Sequence, residues 1–354
     1  MSLLRYVIKR LISIVPTLLA LSLIMYYVAS FFPAAQRVAL FIPTNPYRYP
    51  GQDIFSSIPL LIEKYHLNDP FYVHYFIWLQ GILKGNLGYS FLYSTSVVNV
   101  ILSCLPATLE LILFSAPIIF FGGYKIGVFL ADRASKKASK EDSIDFAVRT
   151  ISIFGYSIPQ FCIGLLLLVI FYWWLGWVQP ERLSQASKAI VFSPNWRSYT
   201  GLYTLDAILN GQLTVFLDAL KHLALPVITL SIQIMPIVIR VTRSAVLGEL
   251  GMPYTIAARA KGLQEKEIVK CVRKNSLGSI LTVSGVLFSS MLTGIVVIEN
   301  VFVIKGIGYQ VVRAASRYDF PLLIGISLVT CVAFIITNLL VDLAYAYLNP
   351  RIRW

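Results

Sequence analysis

The chain has 354 residues, of which 57% are hydrophobic and only 13% charged, and its mean hydropathy is +0.73. This composition excludes a soluble globular domain and describes a polytopic membrane protein. The formal net charge of +13 would suit nucleic acid, but the basic residues alternate with apolar stretches. No nucleic acid is expected, and the charge reads as a loop bias around a bilayer.

Roughly twenty apolar residues cross a bilayer as a helix, and six stretches qualify. They run from about Leu11 to Phe32, Ala107 to Ala131, Val148 to Val178, His222 to Ile239, Ser279 to Ile298 and Leu322 to Tyr347. The third is long and is expected to tilt or break at Pro159. Basic residues precede the first span, as in a signal peptide, yet its apolar core is too long for a cleaved one and reads as a retained helix.

Most of the 30 Lys and Arg residues fall on one side of these spans. They are Arg5, Lys9 and Arg10, then Lys125, Arg133, Lys136, Lys137, Lys140 and Arg149. Arg240, Arg243, Arg259, Lys261, Lys266, Lys270, Arg273 and Lys274 follow, and Arg351 and Arg353 close the series. The denser side is expected to be cytoplasmic, which puts both termini inside the cell membrane. The chain then divides into a first helix (1–32), an extracytoplasmic segment (33–106) and a core of about five helices (107–354) with a cytoplasmic loop at 241–278.

In the outer segment the turn formers Pro43, Pro46, Pro50 and Gly51 precede FYVHYFIWLQGILKG, an aromatic stretch expected to be helical and too short to span. It suits the headgroup interface or packing against the outer ends of the spans. Tyr47, Tyr49, Trp78 and Trp196 suit sugar stacking and membrane anchoring equally.

No catalytic constellation is present. His66, His74 and His222 belong to no known signature, and Cys104, Cys162, Cys271 and Cys331 form no CxxC pair and read as packing residues. No glycine precedes a lysine, so there is no Walker A loop. No cofactor, metal or catalytic residue is expected. Glu110 and Glu299 near outer span ends, and Asp342 near an inner one, read as charges at the water interface rather than a relay at membrane depth. That weighs against an ion-coupled transporter, whose coupling sites lie near the midplane.

The cytoplasmic loop contains PYTIAARAKGL. Pro253 suits a first helical turn, and Gly262 suits a C-terminal stop with basic residues before it. A helix of about two turns is unstable alone, so it packs on its own chain or on a partner. Ala257 and Ala258 offer a low-profile face for docking; the alternative is a connector lying flat on the membrane. After the fifth span, Gly306 and Gly308 favour a turn. Arg313 and Arg317, one helical turn apart, face an acidic partner or a solvated loop.

The stretch 254–263 resembles the EAA loop of ABC-transporter permease subunits, with Ile256-Ala257-Ala258 and Gly262 in the E-A-A-x-x-x-G positions. ARAKGL is similar to the B-type dipeptide/oligopeptide/nickel branch. The likeness extends through RYVIKRLISIVPTLLALSLI, YHLNDPFYVHYFIWLQGILKGNLGYSF, LPATLEL, SIPQF, VIENVFVIKGIGYQVVRAASRYDFPLLIG and LNPRIRW. Departures are Ile256 for the loop's Glu, Cys271 and Ser279 at downstream His and Pro positions, Asn86 and Asn349 for Asp, and no P-G-D-P after the first span.

The resemblance implies an all-α, type I ABC importer permease with about six transmembrane helices. It implies a homologous second permease subunit, two ATP-binding subunits that hydrolyse ATP, an extracytoplasmic solute-binding protein and surrounding membrane lipid as partners. Tyr254, Ala257, Ala258, Arg259, Lys261, Gly262 and Leu263 would form the surface coupled to the ATPase. Substrate contacts stay unassigned, and the substrate stays open among peptides, oligosaccharides and nickel. The rival classes are an ion-coupled secondary transporter or channel, and a polytopic membrane enzyme.

Overall fold

A computed structural model describes residues 3–42, 58–136, 150 and 157–348. Pro43, Pro46, Tyr47, Tyr49, Pro50 and Gly51 lie outside them, as do Lys137, Lys140, the start of the third span near Val148, Arg149, Asn349, Arg351 and Arg353. The same holds for the side chains of Arg5, Lys9, Arg10 and Asp342.

The chain is an all-α, multi-pass membrane protein. In order, its helices are α1 (Leu3–Ser30), α2 (Ala34–Arg37), α3 (Ile58–Lys64), α4 (Phe71–Leu83), α5 (Val97–Pro117) and α6 (Gly123–Lys136). There follow α7 (Gln160–Leu168), α8 (Gln185–Val191), α9 (Tyr203–Leu209), α10 (Leu213–Leu250), α11 (Pro253–Ala260), α12 (Glu265–Val301), α13 (Ile307–Ser316) and α14 (Phe320–Leu348). A π turn at Ile118–Gly122 joins α5 to α6, and another at Val169–Trp174 extends α7. Among the described residues, Val97–Ser135, Leu213–Leu250, Glu265–Val301 and Phe320–Val341 are long and apolar enough to cross a membrane. The apolar parts of α1 and of the third span are shorter there, Ile14–Ser30 and Gln160–Trp174. The latter begins directly after Pro159, whose fixed φ and missing N–H suit a helix start.

The contacts divide the chain into two compact units. One comprises Leu4–Ala107 and Lys305–Ile336. Its larger core gathers Tyr26, Phe41, Leu61, Leu67, Tyr75 and Trp78. The Tyr26 and Trp78 rings lie 4.7 Å apart. Tyr26 Oη shares a 2.7 Å hydrogen bond with His74 Nδ1, and Arg37 reaches the other ring nitrogen at 3.2 Å. Thus α4 packs one face inward while Tyr72 and Phe76 stay exposed. Trp78 is therefore a core residue, available neither to a sugar nor to a headgroup. A short hairpin pairs Tyr89 with Ser96. Asp319 accepts from Ser90 Oγ at 2.5 Å and Leu92 N at 3.2 Å, and also from Leu322 N. One carboxylate so ties the hairpin to the start of α14.

The other unit comprises Met1–Leu3, Thr108–Ile304 and Thr337–Trp354. Here α6 and α10 touch backbone to side chain. A Cβ at Gly123 would lie 2.8 Å from Val238 Cβ, and one at Gly127 would lie 2.6 Å from Thr242 Cβ. This small-xxx-small spacing is how membrane helices approach closely. The 38 residues of α10 and 37 of α12 make helices of about 55 Å, well beyond the roughly 30 Å of hydrocarbon. The end of α10, α11 and the start of α12 together form an arm. Val128 and Ala131 of α6, Val246 of α10, and Ile268 and Val272 of α12 form its core, and Asp132 accepts from Arg273 at 2.5 Å. Cys271 is exposed on this arm, so it is no packing residue, whereas Cys104 is buried.

The outer acids differ from the sequence expectation. Glu110 and Glu299 are 1% and 0% exposed, so neither is a charge at a water interface. The segment from 182 to 218 folds over Glu110. Arg182 donates to its Oε2 at 2.5 and 3.2 Å, and Thr204 donates to Oε1 through N and Oγ1 at 2.7 and 2.8 Å. The Tyr203 ring lies 4.0 Å from the same guanidinium. A buried carboxylate requires such compensation. Glu299 accepts from Thr108 Oγ1 at 2.5 Å. Nearby, Asp206 is fully buried. Burial pushes its carboxyl up, but hydrogen bonds from Thr200, Gly201 and Ser198 outweigh that and hold it below the usual carboxylate range.

Candidate coupling surface on the arm

Helix α11 is built by local rules at both ends. Pro253 occupies its first position after an extended Met252. Thr255 is buried, and its Oγ1 lies 2.7 Å from Met252 O and 2.8 Å from Leu250 O. It pins the helix to the end of α10. At the other end Leu263 N donates to Ala258 O at 3.2 Å and Gly262 N donates to Arg259 O at 2.9 Å. This is a Schellman arrangement, which requires a left-handed residue. Gly262 supplies it with φ +78°, and a Cβ there would meet nothing within 4 Å. Conformation, not space, demands glycine at this position.

Side-chain bonds fix the helix's orientation. Tyr254 Oη donates to Glu249 Oε2 at 2.8 Å; burial and that carboxylate raise the phenol's pKa. Arg259 pairs with Glu265 at 2.6 Å, and this bond raises the guanidinium's pKa.

The residues expected to form a surface do not all share one face. Tyr254, Ala257, Arg259, Lys261, Gly262 and Leu263 are exposed. Ala258 is half-buried and packs on the arm's own core with Val246, Ile268 and Val272. The Ala257–Ala258 pair is thus divided between outside and inside. Sequence reasoning missed Ile256, which is 61% exposed, and exposed Met252. In the sequence Ile256 reads only as a replacement for an acid. Its apolarity in a polar, basic stretch was the available signal. With Leu263 these side chains give the arm an apolar surface rimmed by Arg259 and Lys261.

Residues 123–354 match the family of binding-protein-dependent transport system inner membrane components. The chain belongs to this family. It is 30% identical to the dipeptide transport system permease protein DppB of Alkalihalophilus pseudofirmus, over 99% of this chain and 100% of the relative. Against the di/tripeptide transport system permease protein DppB of Pseudomonas aeruginosa it is 34% identical, over 82% and 84% of the two chains. Against the oligopeptide transport system permease protein AppB of Bacillus subtilis it is 30% identical, over 99% of each. The matched region contains the arm and α11.

Proposed function

We propose that this chain is one transmembrane pore subunit of an ATP-driven importer that takes up peptides from an extracytoplasmic solute-binding protein. The peptide permease names of full-length relatives support the substrate class. A homologous second permease subunit completes the pore. Two separate ATP-binding subunits supply the energy, since no phosphate-binding loop exists in this sequence. Both termini and the basic arm face the cytoplasm, in keeping with the bias of Lys and Arg.

One observation carries the coupling role. Ile256 of α11 and the flanking Met252 and Leu263 face solvent while Thr255 and Ala258 hold the helix to the arm. It therefore acts as a rigid plug for a cleft on an ATP-binding subunit. When ATP draws those subunits together, α11 moves with the arm core. The Asp132–Arg273 bond and the Val246, Ile268 and Val272 packing pass that motion to α6, α10 and α12. Hydrolysis resets the pore.

The test substitutes Gly262→Asp. Its backbone cost is roughly 1–2 kcal/mol for a left-handed non-glycine residue, confined to the turn. The variant is expected to insert normally but to lose its ATP-binding subunits on gentle purification, or to keep them without substrate-stimulated hydrolysis. Lys266→Ala, just beyond the turn, is expected to retain both. Equal assembly and uptake by Gly262→Asp and the unmodified chain would refute the coupling role.

A further inference from the structure

Helix α12 exposes Asn275, Ser279, Thr282, Val286, Ser290 and Thr293. At 3.6 residues per turn and 1.5 Å per residue these fall within an arc of about 80°; Asn275 belongs to the arm, and Ser279 to Thr293 extend about 21 Å along the span. All but Val286 carry a hydroxyl or carboxamide. Other exposed positions of the same unit are different in kind: Leu109, Leu113 and Phe121 near α5, and Phe161, Leu165 and Leu166 on α7, are large and apolar. Those suit lipid. Helix α12 is also little covered, with 28% of its apolar window buried against 61% for α10.

A second observation lies at the edge of this stripe. Gln160, more than nine-tenths buried, lays its carboxamide on α12 at Gly294, next to Thr293. Its Oε1 and Nε2 lie 2.7 and 3.1 Å from where a Cβ at 294 would stand. Nε2 has no hydrogen-bond partner among the described residues. A buried amide donor left this way costs free energy unless something in transit uses it. The donor sits at the start of a helix that begins directly after Pro159.

Thr282 and Ser290 donate to Gly278 O and Val286 O at 3.1 and 3.3 Å. Their protons are thereby committed, and their oxygen lone pairs remain as acceptors. We propose that this stripe and Gln160 line the solute's route and hydrogen-bond the main-chain amides of an extended peptide. Hydroxyl oxygens accept from peptide N–H groups, and Gln160 Nε2 donates to a peptide carbonyl. Uncharged groups of this kind address the backbone that all peptides share and leave their side chains unselected. They also bind weakly enough for release. The proposal rests on the peptide-import reading above.

The experiment uses the whole importer in proteoliposomes, with the native cysteines of this chain replaced. Single cysteines are introduced as Ser279→Cys, Thr282→Cys, Ser290→Cys and Thr293→Cys, with Leu113→Cys and Leu165→Cys as controls. A water-soluble thiol reagent is expected to modify the stripe positions, block peptide uptake and be slowed by added dipeptide, while the controls stay unmodified. Stripe positions as inert as the controls, or modified without dipeptide protection, overturn the proposal. Thr293→Val should lower uptake about fivefold, as for one neutral hydrogen bond, and Thr293→Ser should restore it; equal uptake by all three also overturns it. Unmodified importer that moves no peptide refutes the import reading, whereas peptide uptake with an inert stripe refutes this proposal alone.

Discussion

The segment folded over Glu110 and the arm that carries α11 solve opposite problems. Around Glu110 every strong polar group is spent within the chain. Thr204 and Asp206 are buried and the partly buried Arg182 bonds to Glu110, and Leu183, Val191, Ala207, Val215 and Ala219 form a core beside them. On the arm only Thr255 of α11 is fully buried, and Ile256, Met252 and Leu263 are left facing solvent. Saturated groups make a fixed scaffold, because moving any of them uncovers an unpaired charge or donor. Unspent apolar surface has free energy still to gain, and it gains it from a partner.

The largest test of this contrast is Glu110→Ala. It leaves the Arg182 guanidinium without its carboxylate and is expected to cost about 3–5 kcal/mol. Thermal unfolding in detergent and protease cleavage in the 182–218 segment would register it. The double change Glu110→Leu with Arg182→Met removes both charges and should recover part of the loss, since Thr204 N and Oγ1 still lose their acceptor. Stability unchanged in Glu110→Ala would mean that this network is not the scaffold described here.

A smaller effect is expected of Thr255→Val on the arm. It deletes the hydroxyl bonding to Leu250 and Met252, worth about 1 kcal/mol. Amide exchange should accelerate over 253–260 while the 182–218 segment stays protected. Spread of the change to both regions would show that they do not behave independently. Ile256→Ser should leave the chain's own stability within about 0.5 kcal/mol, as for an exposed site. Retention of ATP-binding subunits should nonetheless fall, and full retention would remove the exposed isoleucine from the coupling surface.

The mildest response is expected from His74, where polar pairing and burial meet at one ring. Burial first, and then the neighbouring Arg37 charge, lower its pKa. The unfolded chain takes up this proton near pH 6.5 and the folded pocket only at lower pH. The pocket's stability is therefore complete above about pH 6.5 and declines as the pH falls below it. Protection of the α4 amides, corrected for the pH dependence of intrinsic exchange, should fall as the pH drops from about 6.5 to 5, and His74→Gln should flatten the dependence. An equally steep response in His74→Gln would assign it to another group.

Much of the fold was legible in the sequence because its determinants are local. Twenty-residue apolar runs leave a bilayer helix few alternatives; the second, fourth, fifth and sixth expected spans fall on helices long enough to cross, and the described parts of the first and third fall on shorter apolar helices. Pro159, Pro253 and Gly262 mark ends that covalent geometry alone dictates, so the ends of α11 and the start of α7 followed from single residues. The partners of Glu110 did not follow. Arg182 and Thr204 stand far from it in the chain, and only tertiary folding encloses the three in one place. Nor could spacing tell that Ala258 turns inward while Ala257 and Ile256 turn out, because a short basic helix presents no stripe strong enough to choose its buried face. The core of Val246, Ile268 and Val272, contributed by two long helices, makes that choice. The same holds for α12, whose hydroxyls read as ordinary span residues until the packing of its neighbours leaves one face of them uncovered.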